Sequence, residues 1–136
     1  MKLIFCLDKN NGMLFAGKRQ SRDSILYEEL LKRIGECKLW ISSYSASLFP
    51  QMSNIIIDDD YCSKATENEY CFIENKGYEI DNCKSVIIYK WNRLYPSDTS
   101  FNIDLKKNGF KVTSKRDFVG NSHEKITEEI YERVWI

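Results

Sequence analysis

Histidine is nearly missing from this chain: His123 is the only one in 136 residues. A zinc shell built from several histidines is therefore out of reach. Acid–base chemistry near neutral pH that needs an imidazole has a single candidate. Net charge is missing too. Twenty Lys and Arg balance twenty Asp and Glu, so no global field draws the chain to nucleic acid or an anionic membrane, and either would need a local patch. No apolar run approaches the ~20 residues of a membrane span, and Leu3–Leu7 is too short for a signal-peptide core, so a first strand is expected there. The five cysteines are odd in number and form no C-x-x-C. Cys6, Cys71 and Cys83 lie in or beside apolar runs, which reads as small core residues in a reducing cytoplasm and not as a disulfide frame or zinc site. Neither G-x-x-x-x-G-K-[ST] nor G-x-G-x-x-G occurs, which argues against a Walker or dinucleotide site of those kinds. There is no internal repeat, low-complexity run or linker.

What is present suffices for one true core. The chain is 43% hydrophobic and 13% aromatic, and its length falls in the single-domain range. Leu3–Leu7 has the continuous apolar character of a strand buried on both faces. Asn10-Asn11-Gly12 supplies a tight turn into the apolar run Met13–Ala16. The segment Gly17–Arg22 reads as a basic surface loop. Asp23 or Ser24 can cap a helix to Ile34, with Leu26, Tyr27, Leu30, Leu31 and Ile34 as its stripe, Glu28–Lys32 and Glu29–Arg33 as i,i+4 pairs, and Gly35 to end it. Strands follow at Leu39–Ile41 and Asn54–Ile57, with a short helix over Ser43–Phe49 between them. Tyr70–Ile73, Ser85–Trp91 and Gly109–Thr113 are further strand candidates. At the C-terminus, Ile126, Ile130 and Val134 recur every four residues, and Asn121 with Glu124 can form a capping box, so a final helix is expected. The alternation Ile130, Glu132, Val134, Ile136 offers a strand instead. The fold class is a single α/β domain of two or three layers over residues 1–136, with a mostly parallel sheet, an N-terminal strand-turn-helix and a C-terminal helix.

If the early strands run parallel, their carboxyl ends share one edge, where open α/β sheets take ligands. That edge carries Asp8, Ser42 with Ser43, and Asp58 to Asp60. Such a rim is suited to a divalent ion or, at the start of the short helix, to a phosphate, although loops are polar at strand ends in any case. Arg19 and Arg22 lie in the basic loop, and Arg93 ends the aromatic stretch Tyr89-Lys90-Trp91-Asn92-Arg93. That stretch has the residues to stack bases, but charge balance favours a core strand with a polar edge. With His123, these are the candidate ligand-binding residues. No catalytic set, metal shell or cofactor is called for by the residues themselves.

Leu7-Asp8-Lys9-Asn10-Asn11-Gly12 resembles the first strand and loop of bacterial dihydrofolate reductases. Gly17-Lys18, the helix from Asp23, the strand at Leu39 and Asp98-Thr99-Ser100-Phe101 with Ile103-Asp104-Leu105 continue the likeness. The resemblance implies the layering of those enzymes and, with it, nicotinamide-dependent reduction. It places Leu26 at the family's helical acid, Ser21 at the preceding Trp and Ser42-Ser43 at the cofactor-binding Gly-Arg, and no Gly-Gly follows a later strand. On that alignment the proton source and the nicotinamide cradle are missing. The chain is also similar to short bacterial proteins labelled ribonuclease Z, through Arg19-Gln20-Ser21-Arg22-Asp23, Tyr89–Arg93 and Ser122-His123-Glu124-Lys125-Ile126. The zinc enzyme of that name needs an H-x-H-x-D-H cluster, which one histidine cannot supply.

Three functions follow as expectations. The first is a cytoplasmic protein that binds a protein partner or small ligand without catalysis, with no membrane or nucleic-acid role. The second is a metal-dependent phosphodiesterase or nuclease using Asp8 and Asp58 to Asp60. The third is a reductase of dihydrofolate reductase type.

Overall fold

Successive side chains of a strand point to opposite faces, and the first strand fills both. Leu3, Phe5 and Leu7 enter one apolar cluster and Ile4 the other. The computed structural model describes residues 1–75 and 78–134, the Cys62 side chain apart. Its elements in order are β1 (Lys2–Leu7), β2 (Gly12–Phe15), β3 (Lys18–Arg19), α1 (Ser24–Ile34), β4 (Leu39–Ile41), a 3₁₀ segment (Ser43–Leu48), β5 (Ile55–Ile57), α2 (Tyr61–Lys64), β6 (Tyr70–Phe72), β7 (Ser85–Lys90), β8 (Thr99–Ser100), β9 (Phe110–Phe118) and β10 (Ile126–Arg133). Seven strands form one sheet in the order β5-β4-β6-β1-β7-β10-β9, and β3-β2-β8 form a small second sheet. The pairs β4–β5, β4–β6, β1–β6 and β1–β7 are parallel, while β10 runs antiparallel to both β7 and β9.

α1 covers one face of the large sheet. Asp23 caps it by accepting hydrogen bonds from the Ile25 and Leu26 amides, and Gly35 closes it with φ +57°, a conformation that only glycine adopts at no steric cost. Leu26, Leu30 and Ile34 pack onto Ile4, Phe72, Ile87 and Tyr89, and each buried aliphatic contributes roughly 2 kcal/mol. The other face is covered by Tyr61 of α2 and by Phe101 and Leu105 from connecting segments. At the turn after β1, a Cβ on Gly12 would stand 2.8 Å from the Asp8 carboxylate and 2.7 Å from Gln20 Nε2, so the close approach itself requires glycine.

The expected C-terminal helix is a strand. A spacing of four residues is a multiple of two, so Ile126 and Ile130 share a face of β10 as readily as they would share a helix face, and they pack beneath α1. Asn121 and Glu124 form no capping box, because no helix follows them. Val134 ends the described segment outside β10, and Ile136 lies outside the described residues. Between the two isoleucines sits Glu128, fully buried. Its carboxylate accepts from Arg33 (2.7 Å), Arg116 Nε (2.9 Å) and the Tyr89 hydroxyl (2.7 Å). Burial opposes charge on Glu128, but the two guanidiniums outweigh it and hold the carboxyl below its usual range. Arg33 therefore reaches β10 and not Glu29, and Glu29 pairs with Arg116 and Lys32. The helical i,i+4 pairs expected from the sequence give way to ties between α1 and the sheet. The described cysteines Cys6, Cys37, Cys71 and Cys83 form no disulfide, and the Cys62 thiol lies outside the described residues.

Glu128→Ala removes a carboxylate shared by α1, β7 and β9. Loss of roughly 2–3 kcal/mol is expected, below the figure for a wholly buried pair because Arg33 and Arg116 can turn to water. Urea denaturation checks this, and an unchanged midpoint would show the network to be ornamental.

Candidate functional site

The parallel strands do bring their carboxyl ends to one edge, but the expected rim residues do not converge there. Asp8, 2% exposed, is fully engaged in building the turn. It accepts from the amides of Asn10 and Gly12 (both 2.8 Å), from Gln20 Nε2 (2.9 Å) and from the Tyr95 amide (3.2 Å). Ser42 caps the 3₁₀ segment through the Ser45 amide, and Ser43 is held by Asp59 through its amide (2.8 Å) and hydroxyl (2.9 Å). Asp58 pairs with Lys64 at 2.7 Å, which lowers its pKa. β5 stands three strand spacings from β1, roughly 14 Å. Asp8 and Asp58 to Asp60 therefore form no common ion site, and among the described residues no group of three or more His, Cys, Asp and Glu is placed to hold a metal. Arg22 and Arg93 are exposed.

What gathers instead is a crevice between β1 and β6, walled by Cys6, Met13, Gln20, Ser21, Tyr27, Ile73 and Trp91 and closed by Arg19 with Glu74. Glu74 follows β6 directly. Arg19 meets it with two bonds of 2.9 Å, donates to the Tyr44 carbonyl (3.0 Å) and lies 4.3 Å over the Tyr44 ring. Ser45 donates to the same carboxylate at 2.7 Å. The bond to Glu74 raises the Arg19 pKa. The desolvated wall pushes the Cys6 thiol and the Tyr27 hydroxyl well up, so both stay protonated at neutral pH. The free space is about 10 Å³, enough for about one water. Gln20 Oε1 is buried there with no partner among the described residues. A larger hollow of about 870 Å³ lies at the opposite edge, around Met1, Tyr78 and Lys84, far from this cluster.

Beside the crevice, His123 is 3% exposed and stacks on Trp91 at 4.6 Å. Its Nδ1 lies 2.8 Å from Asp23 Oδ2, and its Nε2 lies 3.0 Å from both Ser21 Oγ and the Tyr95 hydroxyl. Tyr95 thus joins Asp8 to His123. Asp23 binds the Asn121 amide (2.8 Å) and the Ser122 amide (2.9 Å) as well as its helix. A Cβ on Gly120 would overlap this carboxylate. Burial works against the charge of Asp23, but the Asn121 amide, the His123 ring, and the Ser122 and Leu26 amides hold its pKa far below the ordinary carboxylate range.

Of the residues predicted from sequence, Arg19 and His123 thus belong to this region, with Asp8 supporting it and Ser42 reaching it through the Ser45 hydroxyl at 3.2 Å, while Ser43, Asp58, Arg22 and Arg93 lie outside it. The sequence reading passed over Glu74, Tyr44 and Ser45. Glu74 had a usable signal, since it follows an apolar run just as Asp8 follows β1. α1 turns Tyr27 to the crevice, whereas Leu26, the position aligned with the family acid, is fully buried in the core.

These features define a dihydrofolate reductase-like scaffold. A solved dihydrofolate reductase from Enterococcus faecalis, complexed with NADP(H) and RAB-propyl, superposes with a TM-score of 0.65 over 97% of this chain and 95% of that one, at 12% identity. That likeness shows the fold and agrees with the layering expected from sequence. No family model matches the chain, and no curated protein matches it by sequence. The matched structure lends no support to the ribonuclease Z label.

Because the folded pKa of Asp23 lies below its unfolded value of about 3.9, its stabilisation is complete above that pH and drains as pH falls through the folded value. Unfolding free energy should decline below about pH 4, and Asp23→Asn should shallow that slope while costing roughly 2–4 kcal/mol at neutral pH. Denaturant titrations across that range measure both. Equal slopes in the two proteins would contradict the assignment.

Proposed function

We propose that the protein binds a small ligand in the crevice between β1 and β6, with Arg19 and Glu74 as the recognition pair. The supporting observation is the two-pronged Arg19–Glu74 pair, with the Glu74 side chain 9% exposed, at the carboxyl ends of adjacent parallel strands. Open α/β sheets take ligands in that position, and a guanidinium–carboxylate fork recognises planar groups with paired donors or acceptors. Glu74 can accept from an amidine or amide edge, Arg19 can donate to a carbonyl or carboxylate, and the buried Gln20 Oε1 has no donor among the described residues. Entry requires Arg19 to swing out. It sits on a strand of only two residues, so opening moves the rim and leaves the core in place.

Reduction by a nicotinamide cofactor is the second reading, favoured by likeness over nearly the whole chain to a reductase whose structure carries NADP(H). The residues present fit a dinucleotide poorly. Asp59 already occupies the Ser43 amide, so an anionic diphosphate at the start of the 3₁₀ segment would meet like charge. The water-sized crevice admits no nicotinamide ring while Arg19 is in place.

Trp91, 2% exposed on the crevice wall, provides the reporter. Benzamidine should quench its fluorescence saturably, and Glu74→Gln should weaken that binding about tenfold or more. Saturable binding of NADPH, with its oxidation in the presence of a dihydropterin, would favour the reductase. A linear response to both compounds would dismiss the crevice as a ligand site.

A further inference from the structure

We propose that Ser21 is a nucleophile activated by His123, with Asp23 as the positioning residue, and that this side of the crevice cleaves esters of short acyl groups. Asp23 Oδ2 to His123 Nδ1 is 2.8 Å and His123 Nε2 to Ser21 Oγ is 3.0 Å, the linear relay of acceptor, imidazole and hydroxyl that serine acyl transfer requires. The carboxylate beside Nδ1 places the ring proton there and leaves Nε2 as the acceptor. Stacking on Trp91 with 28° between the planes fixes the ring. His123 and Asp23 are buried, while Ser21 is half-buried and walls the crevice. The Tyr95 hydroxyl lies 3.0 Å from the same Nε2 and 3.4 Å from Ser21 Oγ, and by turning from the ring it can donate to a carbonyl oxygen bound there. A buried histidine is commonly satisfied by a hydroxyl at its ring nitrogens; what distinguishes this one is that a hydroxyl at Nε2 belongs to a half-buried serine on the wall of a crevice.

In the step proposed, Ser21 Oγ bonds to the carbonyl carbon of the ester as its proton passes to Nε2. The bond from that carbon to the alcohol oxygen then breaks, and Nε2 returns the proton to the departing oxygen. Water repeats the sequence, releasing the carboxylic acid and restoring Ser21. The free space beside Ser21 is about 10 Å³ while Arg19 is in place, so the acyl portion must be short and enters as Arg19 swings out, and the alcohol portion extends to solvent. This assignment is independent of ligand recognition by Arg19 and Glu74, and it is read by a covalent mark instead of equilibrium binding.

The test uses methanesulfonyl fluoride on the full chain, with adducts mapped by mass spectrometry, alongside p-nitrophenyl acetate hydrolysis. Sulfonylation at Ser21 is expected on the order of 100-fold faster than at the exposed Ser24 or Ser122. Ser21→Ala should abolish acetate turnover, and folded His123→Gln should slow labelling of Ser21 by a similar factor. Equal labelling of the three serines, or unchanged turnover in Ser21→Ala, overturns the proposal. If His123→Gln fails to fold, the comparison among serines within the unaltered protein decides alone.

Discussion

One buried carboxylate ties together the parts of this molecule that are far apart in sequence. Asp23 caps α1, receives the amides of Asn121 and Ser122, and holds the His123 ring, a contact spanning 100 positions. A buried charge is tolerated only when its lone pairs are filled, and here the helix start and the β9–β10 connection fill them jointly. The helix thereby acquires a fixed position over the sheet, and the His123 ring is presented to Ser21 and Tyr95 in one orientation. Glu128 plays the matching role at the far end of the helix, where Arg33 and Arg116 bring α1, β10 and β9 onto one carboxylate.

Between these two anchors lies the crevice, and its character follows from which polar groups were left for it. Asp8 is consumed by the turn after β1, and Asp58 by Lys64. The ionic pair remaining at the centre of the parallel edge is Arg19 with Glu74. The scaffold is shared with a dihydrofolate reductase, and in this chain the cleft is filled by a phenol on the helix, a carboxylate after β6 and an arginine arching over both. A shared scaffold does not by itself carry chemistry from one protein to another.

The strand at Leu3–Leu7 and the helix from Asp23 to Ile34 were legible because each has an unbroken local pattern. Parallel layering followed from them. The last strand was not legible, because the spacing of Ile126 and Ile130 satisfies both periods and Glu128 looks like a solvent-facing residue until its partners on α1 and β9 are known. Arg19 and His123 could be named as candidates by residue type alone. Their partners could not: Glu74 stands 55 positions from Arg19, and Ser21 stands 102 from His123. Such pairs are properties of topology, and a periodicity argument has no access to them. The acidic rim failed for a related reason. Strand order, which the sequence does not print, set β5 too far from β1.

Amide hydrogen exchange at Asn121 and Ser122 measures the central constraint most directly. Both residues are exposed, and among the described residues Asp23 is what their amides bond to, so protection there reports on that one carboxylate. Both should be strongly protected and should open together with Leu26 at the start of α1. Exchange at the rate of a free loop, with Leu26 still protected, would contradict it.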